Sequence, residues 1–326
     1  MNNNKGMKKN EIKRKSMNKE ELKEAIGKLK KEKNAVIMAH YYQRPEIQEI
    51  ADVIGDSLAL ARRAAQTDAD IIVLCGVNFM GETAKILSPE KRVLVPTYPH
   101  AGCSLADSCN ADDFRRFIEE HPDHTVVSYV NTTAAVKALT DVVCTSGNAR
   151  KVVESLPKDE KIIFGPDKNL GAYINKVTGR NMLLWDGACH VHDRFSPEGI
   201  MRLKEEHPAA KVLVHPECKG EVEKLADCTG STAALLDYAR NSGFDEFIVV
   251  TESGILVEME KKCPGKKFYP APARDSVDGC NCCEYMRLNT LENVYDALLN
   301  GTGEINVDPA VAKEAVKSIR RMLEIK

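Results

Sequence analysis

The sequence predicts an α/β protein: three repeated αβα sandwich domains with parallel sheets, in a pseudo-threefold arrangement around a central active site. Three observations predict it. Short apolar runs of strand length alternate with stretches of helix length along the chain, the pattern of parallel sheets covered on both faces. The order of strand, polar strand end and hydroxyl-bearing helix start recurs three times, with His40 to Ser57, Tyr129 to Ser146 and His215 to Thr232 each 17 residues apart. Each round then reaches a cysteine: Cys103 lies 46 residues after Ser57, Cys189 lies 43 after Ser146, and Cys280 and Cys283 lie 48 and 51 after Thr232. A repeat of roughly 85 to 90 residues suits whole domains rather than solenoid units.

In chain order, residues 18–33 read as a charged amphipathic helix with Leu22, Ile26 and Leu29 on one stripe. Residues 35–39 make a buried strand ending in His40-Tyr41-Tyr42, and a helix is expected over 47–54, stopped by Gly55. Asp56-Ser57 then caps a helix over 58–66. Strand 71–74, a short helix over 78–85 and strand 93–95 lead to Gly102-Cys103-Ser104. In the second round, strand 125–128 ends in Tyr129-Val130-Asn131, helix 134–140 follows, and Thr145-Ser146-Gly147 caps helix 148–156. Strand 161–164, helix 170–176 and strand 182–185 then deliver Cys189, followed by His190 and His192. In the third, strand 211–214 ends in His215-Pro216-Glu217, helix 221–226 follows, and Gly230-Ser231-Thr232 caps helix 233–240. Strand 246–250, helix 256–262 and strand 267–269 reach the loop carrying Cys280, Cys282 and Cys283. The expected domains are 19–101, with helices of 284–326 folded back on it, then 102–187 and 188–283. Residues 1–18 are expected to form a disordered leader.

Composition narrows the function classes. With 43% apolar and 29% charged residues and a formal net charge of −2, the chain lacks the basic balance of a nucleic-acid binder. No apolar run is long enough to span a bilayer, and the Asn- and Lys-rich start has no hydrophobic core of the kind a secretory signal needs. Eleven scattered cysteines, an odd number, point to a reducing cytoplasm and to metal binding rather than disulfides.

In parallel sheets, ligands bind beyond the carboxyl ends of the strands. Three such edges facing one centre would bring together one cysteine from each repeat. A site of three thiolates suits zinc with a water, or an iron–sulfur cluster in which one iron lacks a protein ligand and can act as a Lewis acid. Ser57, Ser146, Ser231 and Thr232 begin helices, where free amides favour phosphate or carboxylate. His40, Tyr42, Tyr129, Asn131, His215 and Glu217 lie just past strand ends, and Glu217 beside His215 is the general-base candidate. Each of these taken alone reads as easily as a helix cap or a satisfied core group; only their convergence makes a site.

The motifs Ala39-His40-Tyr41-Tyr42-Gln43, Gly55-Asp56-Ser57, Gly76-Val77-Asn78-Phe79-Met80-Gly81-Glu82-Thr83-Ala84-Lys85, Gly102-Cys103-Ser104-Leu105-Ala106-Asp107 and Tyr129-Val130-Asn131 occur here in a recognisable order. Phe164-Gly165-Pro166-Asp167, Cys189-His190-Val191-His192, His215-Pro216-Glu217-Cys218, Gly230-Ser231-Thr232 and Cys283-Glu284-Tyr285-Met286 continue it. From about Glu20 onward the chain resembles the bacterial quinolinate synthase (quinolinate synthetase A) family. The resemblance implies condensation of iminoaspartate (iminosuccinate) with dihydroxyacetone phosphate to quinolinate, with loss of phosphate and water, in NAD biosynthesis. It implies a [4Fe–4S] cluster on Cys103, Cys189 and Cys283; the Cys-Asn-Cys-Cys run departs from the family's commonest spacing and keeps Cys280 and Cys282 open as third ligand. Substrate would be held by His40, Ser57, Tyr129, Val130, Asn131, Ser146, His215, Pro216, Glu217, Ser231 and Thr232. Glu217, Tyr42, His215 and His40 would be catalytic. An L-aspartate oxidase or aspartate dehydrogenase would supply the imine. The rival enzyme class is a three-cysteine cluster protein on a related fold, of the diphthamide-synthesis kind. The non-enzymatic rival is a metal-holding scaffold, which leaves the polar strand ends unexplained.

Overall fold

The computed structural model describes residues 17–274 and 281–325. Among the described residues twelve strands form three four-stranded sheets, and every strand pair in them is parallel. The first holds β1 (Ala35–His40), β2 (Val53–Gly55), β3 (Ile71–Cys75) and β4 (Arg92–Leu94) in the order β2-β1-β3-β4. The second holds β5 (Thr125–Tyr129), β6 (Val142–Cys144), β7 (Ile162–Gly165) and β8 (Leu183–Leu184) in the order β6-β5-β7-β8. The third holds β9 (Lys211–Val214), β10 (Cys228–Thr229), β11 (Glu246–Val250) and β12 (Lys267–Pro270) in the order β10-β9-β11-β12. The same connectivity is thus built three times, as the repeat in the sequence predicts.

Apolar runs are needed because each sheet is buried on both faces, and successive side chains point to opposite faces. On β1, Val36 and Met38 enter the large core shared by all three sheets, whereas Ile37 and Ala39 pack outward against Leu22 and Ile26 of helix Lys19–Glu32. On β11, Phe247 and Val249 face the shared core and Ile248 and Val250 a separate outer one. The shared core runs unbroken through the three units, so they fold against one another rather than as beads on a string.

One repeated device was not foreseen. In each unit an aspartate clamps the start of the central strand to the edge strand. Ile37 N–H donates to Asp52 Oδ2 at 2.9 Å, Val126 N–H to Asp141 Oδ2 at 2.8 Å and Val212 N–H to Asp227 Oδ2 at 2.9 Å. Each aspartate returns its own N–H to the same residue's carbonyl, at 2.8, 3.0 and 2.9 Å. The signature is visible in retrospect as Ala51-Asp52 … Ser57, Thr140-Asp141 … Ser146 and Ala226-Asp227 … Thr232. Replacing Asp141 with alanine removes a charged acceptor from a strand amide and is expected to cost about 1 to 2 kcal/mol, read as a lower urea midpoint. Asparagine at the same place, which keeps an acceptor oxygen, is expected to recover most of it.

Several local expectations are corrected. Residues expected as helix 47–54 divide into helix Pro45–Ile50 and the edge strand β2, and β6 and β10 were likewise missed. These are three-residue and two-residue strands, too short for periodicity to register. Helices Ala111–Glu119 and Pro197–Glu206 also add to the expected set; each precedes a central strand, as Lys19–Glu32 does. Their starts are capped by Asn110 and Ser196 side chains. The tail helix Leu291–Asn300 packs on Lys19–Glu32, whereas Pro309–Glu324 lies against Ala134–Lys137, β6 and Asn78–Leu87. There Ser318 Oγ donates to Lys137 O at 2.9 Å, and Asn148 Nδ2 donates to Met322 O at 3.2 Å.

Candidate active site

The strand ends of all three sheets open into one cavity, with about 70 Å³ of space reachable by water. The first unit contributes His40, Tyr42 and Ser57, the second Tyr129, Asn131 and Ser146, and the third His215, Glu217 and Thr232. The parallel register explains this. In the first two units His40 pairs with Gly55 and Tyr129 with Cys144, so the polar residue ending the central strand lies beside the turn that leads to the next hydroxyl; in the third, Val214, just before His215, pairs with Thr229.

The cavity hydroxyls of Ser57, Ser146 and Thr232 do not cap the helices they begin or precede. Asp56, not Ser57, accepts from Ala59 N, and Ser231, not Thr232, accepts from Ala234 N. Ser146 precedes helix Ala149–Glu154, whose N-cap Asn148 makes no capping bond and instead accepts from Thr145 N. The caps expected from Asp56-Ser57 and Gly230-Ser231-Thr232 are thus made by Asp56 and Ser231, whereas the one expected from Thr145-Ser146-Gly147 is corrected, since that helix has no side-chain cap. Val130, Pro216 and Ser231 are buried and do not line the cavity; the Val130 amide donates to Cys144 O within the sheet.

A buried chain of hydrogen bonds crosses the site. Tyr129 Oη donates to Glu217 Oε1, and Glu217 Oε2 lies 3.1 Å from His192 Nδ1. His192 Nε2 meets Thr251 Oγ1 at 2.9 Å, and Tyr42 Oη shares hydrogen bonds with Thr251 Oγ1 at 2.9 Å and Thr232 Oγ1 at 2.8 Å. His215 Nε2 lies 3.3 Å from Ser146 Oγ. The chain thereby joins residues of all three units. The sequence assigns no site role to His192 or Thr251; the polar Thr-Glu-Ser directly after β11 is the available signal.

Cys103, Cys189 and Cys283 all line the cavity. They feel one another: Cys283 raises the Cys103 thiol's pKa, and Cys103 raises that of Cys189. Burial is the larger cause, pushing Cys103 up to about 12 and Cys283 up to about 11. Backbone amides oppose it in a common pattern. The sulfur of Cys103 is met by the amides of Leu105 and Ala106, that of Cys283 by those of Tyr285 and Met286, and that of Cys189 by that of His192. Amides aimed at sulfur favour thiolate, so this donor set fits a group that binds thiolates. Cys282 is disulfide-bonded, its sulfur lies 3.2 Å from Ser253 Oγ, and it does not line the cavity; Cys280 lies outside the described residues.

The segment bearing Cys283 is tied to the third and first units. Cys283 N–H donates to buried Glu252 Oε1 at 3.0 Å, Arg44 Nε donates to Arg287 O at 2.7 Å and Asn289 Nδ2 donates to Gly76 O at 3.0 Å. Gly254 packs so closely on Tyr42 that a Cβ there would stand 2.6 Å from the Tyr42 Cα. Only glycine permits that approach.

The model of the family described as "Quinolinate synthetase A protein" matches residues 24–324. The chain belongs to the quinolinate synthetase A family. It is 54% identical over 321 residues to a protein of Chloroherpeton thalassium named quinolinate synthase, covering 98% of this chain and 99% of that one. Similar proteins of the same name in Prochlorococcus marinus (strain MIT 9313) and Nostoc sp. (strain PCC 7120) are each 54% identical, over 94% and 92% of this chain and 91% and 92% of theirs.

In this family member burial and the Glu217 carboxylate set the charges of the histidines and tyrosines that line the site. Burial pushes the His40 imidazole down to about 4 and that of His215 to about 3, so both are neutral near pH 7. Burial also opposes ionisation of Glu217, but adjacent His192 and His215 and the Tyr129 phenol outweigh it and hold the carboxyl down at about 2. Tyr42 and Tyr129 are held protonated by burial and by Glu217. The histidines make stability depend on pH. Between about pH 6.5 and 4 the unfolded chain takes up protons that the folded one refuses, so stability falls as pH falls, by up to about 1.4 kcal/mol per pH unit for each imidazole. The urea midpoint is expected to drop across that window, and the drop to be shallower in His40→Gln. An identical slope in the variant would remove His40 from this account.

Proposed function

We propose that the chain is a quinolinate synthase, a transferase-type enzyme that condenses iminoaspartate with dihydroxyacetone phosphate to quinolinate, with loss of phosphate and water. Membership of the family supports the activity. The observation that carries the site is that three cysteines and the Tyr129–Glu217–His192–Thr251–Tyr42 chain meet in one cavity. Cys103, Cys189 and Cys283 would hold a [4Fe–4S] cluster. When bound, such a cluster supplies one iron without a protein ligand, a Lewis acid for a substrate hydroxyl or carboxylate.

The remaining chemistry belongs to the side chains. Both substrates are anionic, and the cavity meets them with neutral donors: the hydroxyls of Ser57, Ser146 and Thr232 and the imidazoles of His40 and His215. Asn131 Oδ1 is buried without a partner among the described residues and is an acceptor left for a substrate N–H or O–H. Carbon–carbon bond formation needs a base to take a proton from the carbon next to the imine. Glu217 is anionic, lines the cavity and is aimed by Tyr129 and His192, so it fills that role. Dehydration needs an acid, and Tyr42, backed by Thr232 and Thr251, holds its proton where the cavity can receive it. Burial of these groups keeps bulk water from the imine. Among the described residues no helix is long and apolar enough to cross a membrane.

The test is direct. Anaerobically prepared protein is assayed for iron and acid-labile sulfide, then for quinolinate formed from iminoaspartate and dihydroxyacetone phosphate. About four of each per chain together with quinolinate production supports the reading. Zinc without sulfide, and no product, sinks it.

A further inference from the structure

Among the described residues, Cys189, His192 and Glu217 stand out as a group whose ligand atoms all lie within 4.8 Å of one another. His192 Nδ1 lies 3.3 Å from Cys189 Sγ and 3.1 Å from Glu217 Oε2. Zinc–ligand bonds of about 2.0 to 2.3 Å at tetrahedral angles place neighbouring ligand atoms roughly 3.3 to 3.8 Å apart. The two pairs that share His192 Nδ1 therefore need to part by only a few tenths of an ångström to admit an ion of that size, and the Cys189 and Glu217 atoms lie within 4.8 Å of each other.

Their surroundings already resemble those of a metal site. The far nitrogen of a ligating histidine is normally held by a second group, and His192 Nε2 is held by Thr251 Oγ1 at 2.9 Å. Glu217 Oε1 is engaged by Tyr129 Oη, which leaves Oε2 facing His192. The Cys189 N–H donates to buried Asp167 Oδ2 at 3.3 Å and anchors the third ligand's backbone. Charge favours the same conclusion. A divalent cation with one thiolate and one carboxylate is neutral, which suits a buried site, whereas the ion-pair partners of Glu217 among the described residues are two histidines.

We propose that Cys189, His192 and Glu217 form a site for one divalent transition-metal ion of the zinc type, filled when the chain holds no cluster. This ion and the cluster exclude each other, because both require the sulfur of Cys189, an exclusion that rests on the cluster reading above. Binding breaks the Cys189 S–H bond, forms a sulfur–metal bond and releases the proton to solvent, with no change of oxidation state. A mixed sulfur, nitrogen and oxygen donor set selects borderline ions such as Zn²⁺ and Co²⁺ over Mg²⁺. The fourth position opens to the cavity.

The experiment uses the full chain, stripped of iron by chelation under reducing conditions and titrated with Co²⁺ and Zn²⁺ alone. The expected result is one ion per chain, with a Co²⁺ spectrum of tetrahedral intensity and charge transfer from a single thiolate. His192→Ala and Glu217→Gln are each expected to weaken binding by about 100-fold, and Thr251→Val by about 10-fold. Cys103→Ala and Cys283→Ala are expected to bind as the parent does. Circular dichroism and thermal unfolding report whether each variant is folded, and Thr251→Val decides the matter if His192→Ala is not. No binding by the stripped parent, or binding lost in Cys103→Ala and Cys283→Ala but kept in His192→Ala, overturns the site. Zinc-loaded protein is also expected to take up less iron and sulfide on reconstitution than stripped protein; equal uptake overturns the exclusion. These readouts involve no quinolinate, so their failure is distinct from failure of the proposed activity.

Discussion

Serine in place of Cys103, Cys189 or Cys283 is expected to reduce bound iron from about four to below about one per chain and to lower quinolinate formation more than about 100-fold. The reason lies in the number of donors. Three thiols from three parts of the chain reach the cavity, two of them with a pair of backbone amides aimed at sulfur, and a serine hydroxyl is too weak an acid to take a thiolate's place. Cys228, in β10 and away from the cavity, is the matched control: Cys228→Ser is expected to retain its iron. Iron quantitation and the visible absorption of anaerobic protein make the comparison. Full iron content in Cys283→Ser would move the third ligand into the run that holds Cys280 and Cys282.

The second large effect is expected at Glu217. Glu217→Gln keeps an oxygen to accept from Tyr129 Oη and nearly the same volume, but it cannot take a proton. Turnover is expected to fall by about 10²- to 10⁴-fold, the usual contribution of a positioned base, with iron content and substrate KM little changed. A loss of kcat with an intact cluster isolates proton transfer from assembly of the site. If Glu217→Gln turns over within a factor of a few of the parent, another group is the base. A variant that loses its iron instead would assign Glu217 to holding the site together.

How much of this was legible beforehand follows from which forces act locally. Helix Lys19–Glu32 is readable from the period of its apolar residues and from the capping box that Asn18 and Glu21 close at its start, and the central strands from the apolar runs that burial on both faces requires. The two- and three-residue edge strands β2, β6 and β10 are not, since they carry too few residues to show a period and owe their state to pairing with a neighbour. The serines that begin helices were noticed, but which residue caps and which stays free was not decided by type. Position decides it: Asp56 and Ser231 are the extended residues just before their helices, whereas Ser57 and Thr232 are already the first helical residues.

By itself the sequence determined the α/β class, the threefold repetition and the polar residues destined for strand ends, because alternation of apolar runs and a 17-residue spacing are properties of the chain alone. Tertiary structure decided which of those residues share a cavity and which, like Val130 and Pro216, are buried away from it. It also brought in His192, Thr251 and Glu252, whose roles depend on groups tens to hundreds of residues away: His192 meets Thr251, Thr251 meets Tyr42, and Glu252 holds the amide of Cys283. Hydrogen bonds reach about 3 Å, and no spacing along a chain records which distant atoms folding will bring within that reach.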